Sequence, residues 1–342
     1  PCAGSFVSRV DFENSRTIHD KARAAGRLLY SFEARRKIEI LLRNEKPDLV
    51  HLHNIHHQIS PSILPVIKKH NIPVVMTLHD YKMVCPVYTL TRNARVCEKC
   101  AFGKFYYCLL LRCCKRSILK SFLNALEMYL HHKLLDVYGL VDVFISPSKF
   151  LMEKVRQMGF GKKVFYLPNF IDCRRFSPLF ENAGGNIIYF GRLSDEKGLN
   201  TLLDAVKGLK LECRIYGEGP IMGKLARRIG EESLSNVFLM GHIPLQELKA
   251  AIRETMFAVV PSEWYENNPL SVLEAFACGK PVVGAEIGGI QELILDSETG
   301  LLFDPGNVHS LKQKIVDLIE KADKRIEMGR KARRYVEENF SP

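Results

Sequence analysis

Short runs of apolar residues alternate with segments of helical periodicity along most of the chain. The runs have the brevity and β-branched content of buried strands, whereas the longer segments repeat apolar residues at the spacing of a helical turn. Predicted strands cover 48–53, 73–78, 141–146, 164–167, 187–190, 213–216, 258–260 and 281–283. Predicted helices among the later strands cover 198–207, 220–230, 245–254 and 308–321. This alternation predicts an α/β fold with parallel sheets wound on both faces.

The stretch 168–185 is the best candidate for a domain boundary, because it carries two prolines, an Asn-Ala-Gly-Gly sequence and few apolar residues. We therefore predict two Rossmann-like domains, 1–170 and 171–342, that face each other across a cleft. In such sheets, ligands bind beyond the carboxyl ends of the strands. Nothing before residue 47 has the pattern of a strand, so we expect the first domain to be incomplete at its start.

Composition is that of a globular protein, with 46% hydrophobic and 25% charged residues. No apolar run approaches the roughly 20 residues of a membrane span. Charge is uneven, since residues 1–180 hold 29 Lys and Arg against 14 Asp and Glu, and the remainder holds 20 against 24. A basic first half indicates an anionic partner, which could be nucleic acid, a membrane surface or a phosphorylated substrate, or else a solvated face.

The irregular segment 82–117 holds six cysteines, several aromatic residues, many basic residues and a single acidic one, Glu98. No secretory signal is visible at the start, so metal ligands or free thiols come before disulfides in our interpretation. The candidate ligands of a structural zinc are Cys97, Cys100, Cys108 and Cys113. Zinc, free thiols and disulfides remain as alternatives. The cations and aromatic residues of the segment could also rest on a lipid headgroup layer.

Two cations follow the predicted strand 187–190, in the sequence Gly-Arg-Leu-Ser-Asp-Glu-Lys-Gly of residues 191–198. The segment opens a helix, so a diphosphate there would meet backbone amides as well as Arg192 and Lys197. Arginine offers a fork of donors and lysine a point charge, which suits two phosphates. An ordinary exposed turn is the alternative. Gly217, in a turn after the strand 213–216, would let a ligand approach the backbone closely.

Two glutamates eight positions apart follow the predicted strand 258–260. Asn268 or its neighbour can cap a helix that has Pro269 in its first turn, which places Glu266 before the helix and Glu274 inside it. A carboxylate can accept hydrogen bonds from two sugar hydroxyls at once. The pair could thus grip two diols of one extended ligand, or form a salt-bridged structural pair. A buried Glu274 would need a partner.

These segments resemble glycosyltransferase family 4 in order and approximate spacing. The resemblance covers essentially all of the second half and rests on the segment 191–198, the Glu266–Glu274 spacing, Ala-Cys-Gly-Lys-Pro-Val-Val at 277–283, and Gly288-Gly289. It implies a GT-B fold and a retaining transferase that takes a nucleotide-sugar donor and requires no metal. Asn267-Asn268 stands where many members have Gly-Phe or Gly-Gly, which leaves the donor sugar open.

The resemblance also implies roles for residues. Arg192 and Lys197 would bind the diphosphate, Glu266 the donor sugar and Glu274 the ribose hydroxyls. His79, at the end of the strand 73–78, would point into the cleft and touch the donor sugar near the reacting carbon. Further predicted donor contacts are Gly217, His242, Ile243, Asn268, Pro269 and Leu270. Four more histidines could hold a metal, although lining of the acceptor side is the favoured interpretation; they are His51, His53, His56 and His57.

The expected function is transfer of a sugar, of the hexosyltransferase type, from a nucleotide sugar to a saccharide or lipid-linked acceptor in cell-surface polysaccharide synthesis. We expect the protein at the cytoplasmic face of an anionic membrane, without nucleic acid as a partner. Another GT-B enzyme, such as a nucleotide-sugar epimerase, is the first alternative. A basic nucleic-acid-binding protein is the second, and would show salt-sensitive binding that does not depend on nucleotide sugars.

Overall fold

The computed structural model describes residues 6–8, 17–56, 58–93, 95–181 and 184–342. The chain divides into two compact units. The first comprises Pro1–Arg92 and Cys97–Leu167, and the second comprises Pro168–Pro342 together with Asn93–Val96. The sequence-based boundary was placed three residues later, between 170 and 171.

The first unit is built on a parallel sheet of four strands in the order β1-β2-β5-β6. These strands are β1 (Val50–His53), β2 (Val74–Thr77), β5 (Val143–Ser146) and β6 (Val164–Tyr166). Two short strands, β3 (Thr91–Arg92) and β4 (Arg95–Val96), pair only with each other. The parallel register runs from Val50 opposite Val74 to His53 opposite Thr77, so the residues that follow β1 and β2 meet at one edge of the sheet.

Six α-helices precede residue 158 in the described ranges. One of them lies within the segment 82–117, which the sequence pattern had predicted to be irregular, and another begins directly after it. The six helices are α1 (Ile18–Leu29), α2 (Phe32–Glu45), α3 (Leu64–Lys69), α4 (Tyr106–Leu110), α5 (Ile118–Tyr129) and α6 (Lys149–Gln157). The segment 82–117 is therefore partly regular, since it contains the β3–β4 hairpin and α4. A turn of π-helix, Leu130–Leu134, continues α5. Helix α4 packs against α5.

The second unit is a doubly wound α/β domain with a parallel sheet in the order β12-β11-β10-β7-β8-β9. Its strands are β7 (Asn186–Phe190), β8 (Glu212–Tyr216), β9 (Val237–Gly241), β10 (Ala258–Val260), β11 (Val282–Ala285) and β12 (Gly300–Phe303). Its helices are α7 (Leu199–Val206), α8 (Met222–Glu231), α9 (Leu245–Arg253), α10 (Leu270–Ala277), α11 (Ile290–Leu293), α12 (Val308–Glu320) and α13 (Ala322–Asn339). The chain order reverses between β7 and β10, which is where such sheets open a crevice for ligands.

Apolar layers cover both faces of this sheet. Ile187 and Tyr189 of β7 belong to a cluster that includes residues of α7 and α12, whereas Ile188 and Phe190 face a second cluster that includes residues of α10 and α13. All five residues of β7 are buried, as expected of a central parallel strand. No helix in the described ranges combines the length and apolar character required to cross a bilayer.

Candidate functional site

A cleft of about 580 Å³ lies in the second unit at the switch point between β7 and β10. Its size is that of a site for a small organic ligand. Its walls come from the segments that follow β7, β8, β9 and β10 and from the first turns of α10. The lining residues are Tyr189, Phe190, Gly191, Arg192, Lys197, Tyr216, Gly217, Glu218, His242, Ile243, Leu248, Val260, Ser262, Glu266, Pro269, Leu270, Ser271 and Glu274.

Arg192 stands on the loop after β7 with its side chain exposed. Its backbone carbonyl accepts a hydrogen bond of 2.8 Å from the Tyr189 hydroxyl, which fixes the loop. Within the described part of the chain, the guanidinium itself has no hydrogen-bond or ion-pair partner. Gly217 has a φ of 128°, and a Cβ there would lie 1.9 Å from the carbonyl oxygen of Gly191, so only glycine lets the loops after β7 and β8 approach this closely.

Lys197 is held by an acidic partner from the loop after β10. Its Nζ lies 2.6 Å from Oε1 of Glu266, and the Ser262 hydroxyl donates to the same oxygen at 2.6 Å. The ammonium also lies 5.2 Å from the centre of the Trp264 ring. Glu266 Oε2 makes no hydrogen bond with any other described residue. The pair therefore leaves one carboxylate oxygen available to a ligand beside a positioned cation.

The backbone of Glu266 is fixed by the turn after β11. The Gly289 amide donates to the Glu266 carbonyl at 2.7 Å. Gly288 has a φ of 61°, and a Cβ there would lie 2.5 Å from the same carbonyl oxygen. A side chain at position 288 would push the Glu266 loop away, so the glycine pair is required for the position of this carboxylate.

Glu274 projects into the cleft from α10. Its carboxylate has no hydrogen-bond or ion-pair partner among the described residues. Burial raises the pKa of Glu274 to about 7, and the more distant charge of Lys249 only partly opposes this. A half-buried carboxylate without a protein partner can be satisfied by hydroxyl groups of a ligand.

Nearly all predicted donor contacts line this cleft, and Asn268 is the exception. Asn268 as a donor contact stays a prediction, but the predicted side-chain cap was wrong, because α10 begins at Leu270 with Pro269 at the N-cap position and no side-chain cap. The Asn268 Oδ1 atom is buried without a hydrogen-bond partner in the described ranges. The backbone carbonyl of Asn268 accepts a hydrogen bond of 2.9 Å from the side-chain amide of Asn169.

The sequence interpretation missed several lining residues, among them Tyr189, Tyr216, Leu248, Ser262 and Ser271. Four of them lie at the carboxyl ends of strands or close to residues that were identified. The rule that ligands bind beyond these strand ends, which we call the strand-end rule, could therefore have found them. Leu248 lies inside α9, and its contribution depends on how that helix packs.

In the first unit, His79 follows β2 and lies beside His53 at the end of β1. The His53 Nδ1 and His79 Nε2 atoms are 2.7 Å apart, and His51 Nε2 is 2.8 Å from the Thr77 hydroxyl. Burial, and then the neighbouring rings of His53 and His51, lower the pKa of His79. His56 Nδ1 is 3.0 Å from the Tyr138 hydroxyl. His57 lies outside the described residues.

The described cysteines are free thiols. Cys100 and Cys108 are buried in a small apolar cluster with Phe105, and Cys113 packs against it. A hydrogen bond from Cys108 lowers the pKa of Cys113 to about 7. Throughout the described ranges, no three or more His, Cys, Asp or Glu residues are arranged to hold a metal ion. The zinc site at Cys97 and its three partners has no geometric support here and stays a prediction.

Two family models match the chain. The model "Glycosyltransferase Family 4" matches residues 9–175, and "Glycosyl transferases group 1" matches residues 174–335. The two matches meet at residues 174–175, a few residues after the boundary between the units, and together they account for nearly all of the chain.

Similar proteins include D-rhamnosyltransferase WbpZ of Pseudomonas aeruginosa, 30% identical over 64% of this chain and 58% of that protein. The poly(ribitol-phosphate) alpha-N-acetylglucosaminyltransferase of Staphylococcus aureus is 29% identical over 53% of this chain and 37% of its own length. The chain spans about half the length of the curated relatives it matches.

Among solved structures, HepE of Anabaena in complex with UDP-glucose is similar with a TM-score of 0.66 and 18% identity, over 89% of this chain and 78% of that one. Sucrose-phosphate synthase of Thermosynechococcus elongatus gives a TM-score of 0.68 at 19% identity, over 90% and 73%. At this identity the structural likeness shows the fold, which is GT-B. With both family models matched and this fold, the chain belongs to the glycosyltransferases that combine a family 4 domain with a group 1 domain.

Proposed function

We propose that this protein is a retaining glycosyltransferase that moves a sugar from a nucleotide-sugar donor to a saccharide or lipid-linked acceptor. The observation that carries the proposal is the cleft at the switch point of the second unit. It brings together two cations, Arg192 and Lys197, and two carboxylates, Glu266 and Glu274. A nucleotide sugar has the matching chemistry, since its diphosphate lies between two groups that carry hydroxyls.

The cations would act on the leaving group. As the bond to the sugar breaks, negative charge grows on the diphosphate, and fixed positive charges stabilise that state more than the ground state. Lys197 is held in place by Glu266, so little reorganisation is required when the charge appears. The two cations also neutralise negative charge on the diphosphate, as a bound metal ion would. This supports a transfer reaction that requires no metal.

The carboxylates would orient the donor. Glu266 has Oε1 occupied by Lys197 and Ser262, and its other oxygen can accept from a sugar hydroxyl. A carboxylate committed to these contacts fits an orienting role rather than a covalent nucleophile. Glu274, which has no protein partner in the described part, would accept from the ribose diol. We assign His79 a role at the sugar during turnover.

We further propose that the reaction serves cell-surface polysaccharide synthesis at the cytoplasmic face of a membrane. A similar protein supports this, the putative colanic acid biosynthesis glycosyltransferase WcaL of Escherichia coli, which is 28% identical over 58% of this chain. The basic first half supports an anionic surface or a phosphorylated acceptor as its partner.

Differential scanning of the purified protein with a panel of UDP-, GDP- and ADP-sugars tests the donor class. A bound ligand stabilises the folded state, so one nucleotide series should raise the Tm. Arg192→Ala should reduce that rise, and Arg214→Ala, which removes an arginine of β8 that pairs with Glu212, should retain it in full. If no nucleotide sugar raises the Tm, the proposal fails.

A further inference from the structure

Helix α5 of the first unit turns an apolar face to solvent. Ile118, Leu119, Phe122 and Leu126 are all exposed, with Leu119 at 66% and Phe122 at 46%. Their spacing of one, four and eight positions from the first residue places them on one side of a helix. We call these four residues the α5 face. Leu110, at the end of the packed helix α4, is also exposed, at 65%.

The opposite side of α5 is firmly attached to the unit. Ala125 and Met128 are buried in the cluster around Phe105. Glu127 is fully buried, with Oε2 2.6 Å from the Lys82 ammonium. The Ser117 side chain caps the start of the helix. The helix is therefore held by its inner side, and the core does not require the apolar residues of the outer face.

Residues 99–135, which include the α5 face, expose charge of one sign only. Between residues 99 and 135, all seven Lys and Arg side chains are exposed, and the single acidic residue, Glu127, is buried and paired. The cations are Lys99, Lys104, Arg112, Lys115, Arg116, Lys120 and Lys133. Exposed apolar residues flanked by cations form the pattern of a surface that lies in the interface of an anionic bilayer.

We propose that the α5 face and its flanking cations dock the protein on an anionic lipid bilayer, with the apolar side chains inserted among the acyl chains and the cations at the headgroups. Four large apolar side chains have no counterpart in a nucleic-acid backbone, which disfavours that partner. A second copy of this chain would bring two cationic surfaces together, and like charges repel. The inference rests on the membrane contact proposed above and names the surface that makes it, but it does not depend on the donor site, which lies in the other unit.

Co-sedimentation with phosphatidylcholine vesicles that contain no or about 30% phosphatidylglycerol tests the proposal. Wild-type protein should bind only the anionic vesicles, and less at high salt. Leu119→Ser with Phe122→Ser should weaken binding by about tenfold or more. Lys104→Glu with Lys120→Glu should weaken it by at least about twentyfold, since each cation near the surface contributes roughly fivefold.

Matched controls come from exposed positions elsewhere. Ile40→Ser, on an exposed position of α2, and Lys224→Glu with Arg227→Glu, on α8, should bind vesicles like the wild type. Thermal unfolding of each variant checks that the fold is retained. Wild-type protein that ignores anionic vesicles, or face and control variants that bind equally, would overturn the proposal. So would a dimer in light scattering that Leu119→Ser with Phe122→Ser dissociates, because the face would then bind a second copy.

Discussion

Glu127 of α5 and Glu274 of α10 are both helix carboxyls withdrawn from solvent, yet their surroundings are opposite. Glu127 accepts from the Lys82 ammonium at 2.6 Å and from His131 Nδ1 at 2.9 Å. The other nitrogen of His131 lies 2.8 Å from the Leu29 carbonyl oxygen, so both ring nitrogens face acceptor groups. Glu274 has no such partners in the described ranges.

The pKa values separate the two sites. Burial alone would raise the pKa of Glu127, but the charge of Lys82 and the hydrogen bond from His131 outweigh it and bring the pKa to about 2. Burial of Glu274 is opposed only weakly, and its pKa is about 7. A buried carboxylate whose partners are all in the protein is a structural group that the fold cannot lose singly, whereas one left without partners is suited to a ligand.

The largest expected effect is on the free energy of unfolding, when the buried pair of Lys82 with Glu127 is broken. Glu127→Gln should lower the free energy of unfolding by about 3–5 kcal/mol, because it leaves the Lys82 ammonium buried without its counter-charge. Chemical denaturation of the whole chain measures this. Replacement of both partners, Lys82→Met with Glu127→Leu, should recover most of the loss. Asp317→Asn, which breaks the exposed pair with Lys321, should cost less than about 1 kcal/mol.

The same site sets a pH window. The folded pKa of Glu127 lies below its unfolded value of 4.5, so its contribution is present above pH 4.5 and is lost as the pH falls toward 2. If Glu127→Gln is as stable as Asp317→Asn, the structural role of Glu127 is refuted.

The next effect is on the donor cations. Arg192→Ala and Lys197→Ala should each weaken nucleotide-sugar binding by about 1.5–3 kcal/mol, the range of hydrogen bonds to charged groups. Arg192→Ala should leave stability unchanged, since its guanidinium has no partner among the described residues. Lys197→Ala should also destabilise the fold, because Glu266 loses its counter-charge. Glu196→Ala, on the same loop, is the matched control, and donor affinity equal to the wild type in both cation variants would remove the assignment.

A smaller effect is expected for His79. His79→Ala should lower turnover by about tenfold or more with little change in donor affinity, because its proposed role is at the sugar during the reaction. Steady-state kinetics together with donor titration separate the two quantities. Donor affinity that collapses in this variant would show that His79 binds the donor in the ground state.

The least effect on the donor site is expected from the cysteines. If the segment holds zinc, the purified protein should carry about one metal per chain, and Cys97→Ser with Cys100→Ser should lose it. Elemental analysis measures the metal, and donor affinity should stay that of the wild type in either case. Metal-free protein with unaltered folding would leave only the thiol interpretation.

The pattern of the sequence predicted the central strands and most helices of the second unit, because a strand buried on both faces reads as one apolar run. It missed β9 and β12, which are the two edge strands of that sheet. β9 alternates buried and more exposed residues, and β12 begins at a glycine. In β9 the half-solvated edge breaks the apolar run on which the prediction depended, whereas β12 is mostly buried and was missed because only three apolar residues follow its glycine.

The site was predicted as a set of residues but not as a set of contacts. Arg192, Lys197, Glu266 and Glu274 all line the cleft, as the strand-end rule predicts. The ion pair of Lys197 with Glu266 joins positions 69 apart and depends on β10 lying beside β7. The buried pair of Lys82 with Glu127 likewise joins distant positions. Long-range pairing of charges is fixed by strand order and helix packing, which a single sequence does not display.

Calorimetric titration with a nucleotide sugar at about pH 6 and about pH 8 tests the central claim most directly. In the free protein, the pKa of Glu274 lies above its unfolded value of 4.5, so the ionised group costs stability as the pH rises through about 7. Ribose hydroxyls that donate to the carboxylate should favour the ionised form, and binding should be about tenfold tighter at the higher pH. A nucleotide sugar is the correct probe, since the terminal phosphate of a free nucleotide titrates near pH 6. Glu274→Gln should bind more weakly and lose the pH dependence. Equal affinity of the wild type and Glu274→Gln at both pH values would contradict the account.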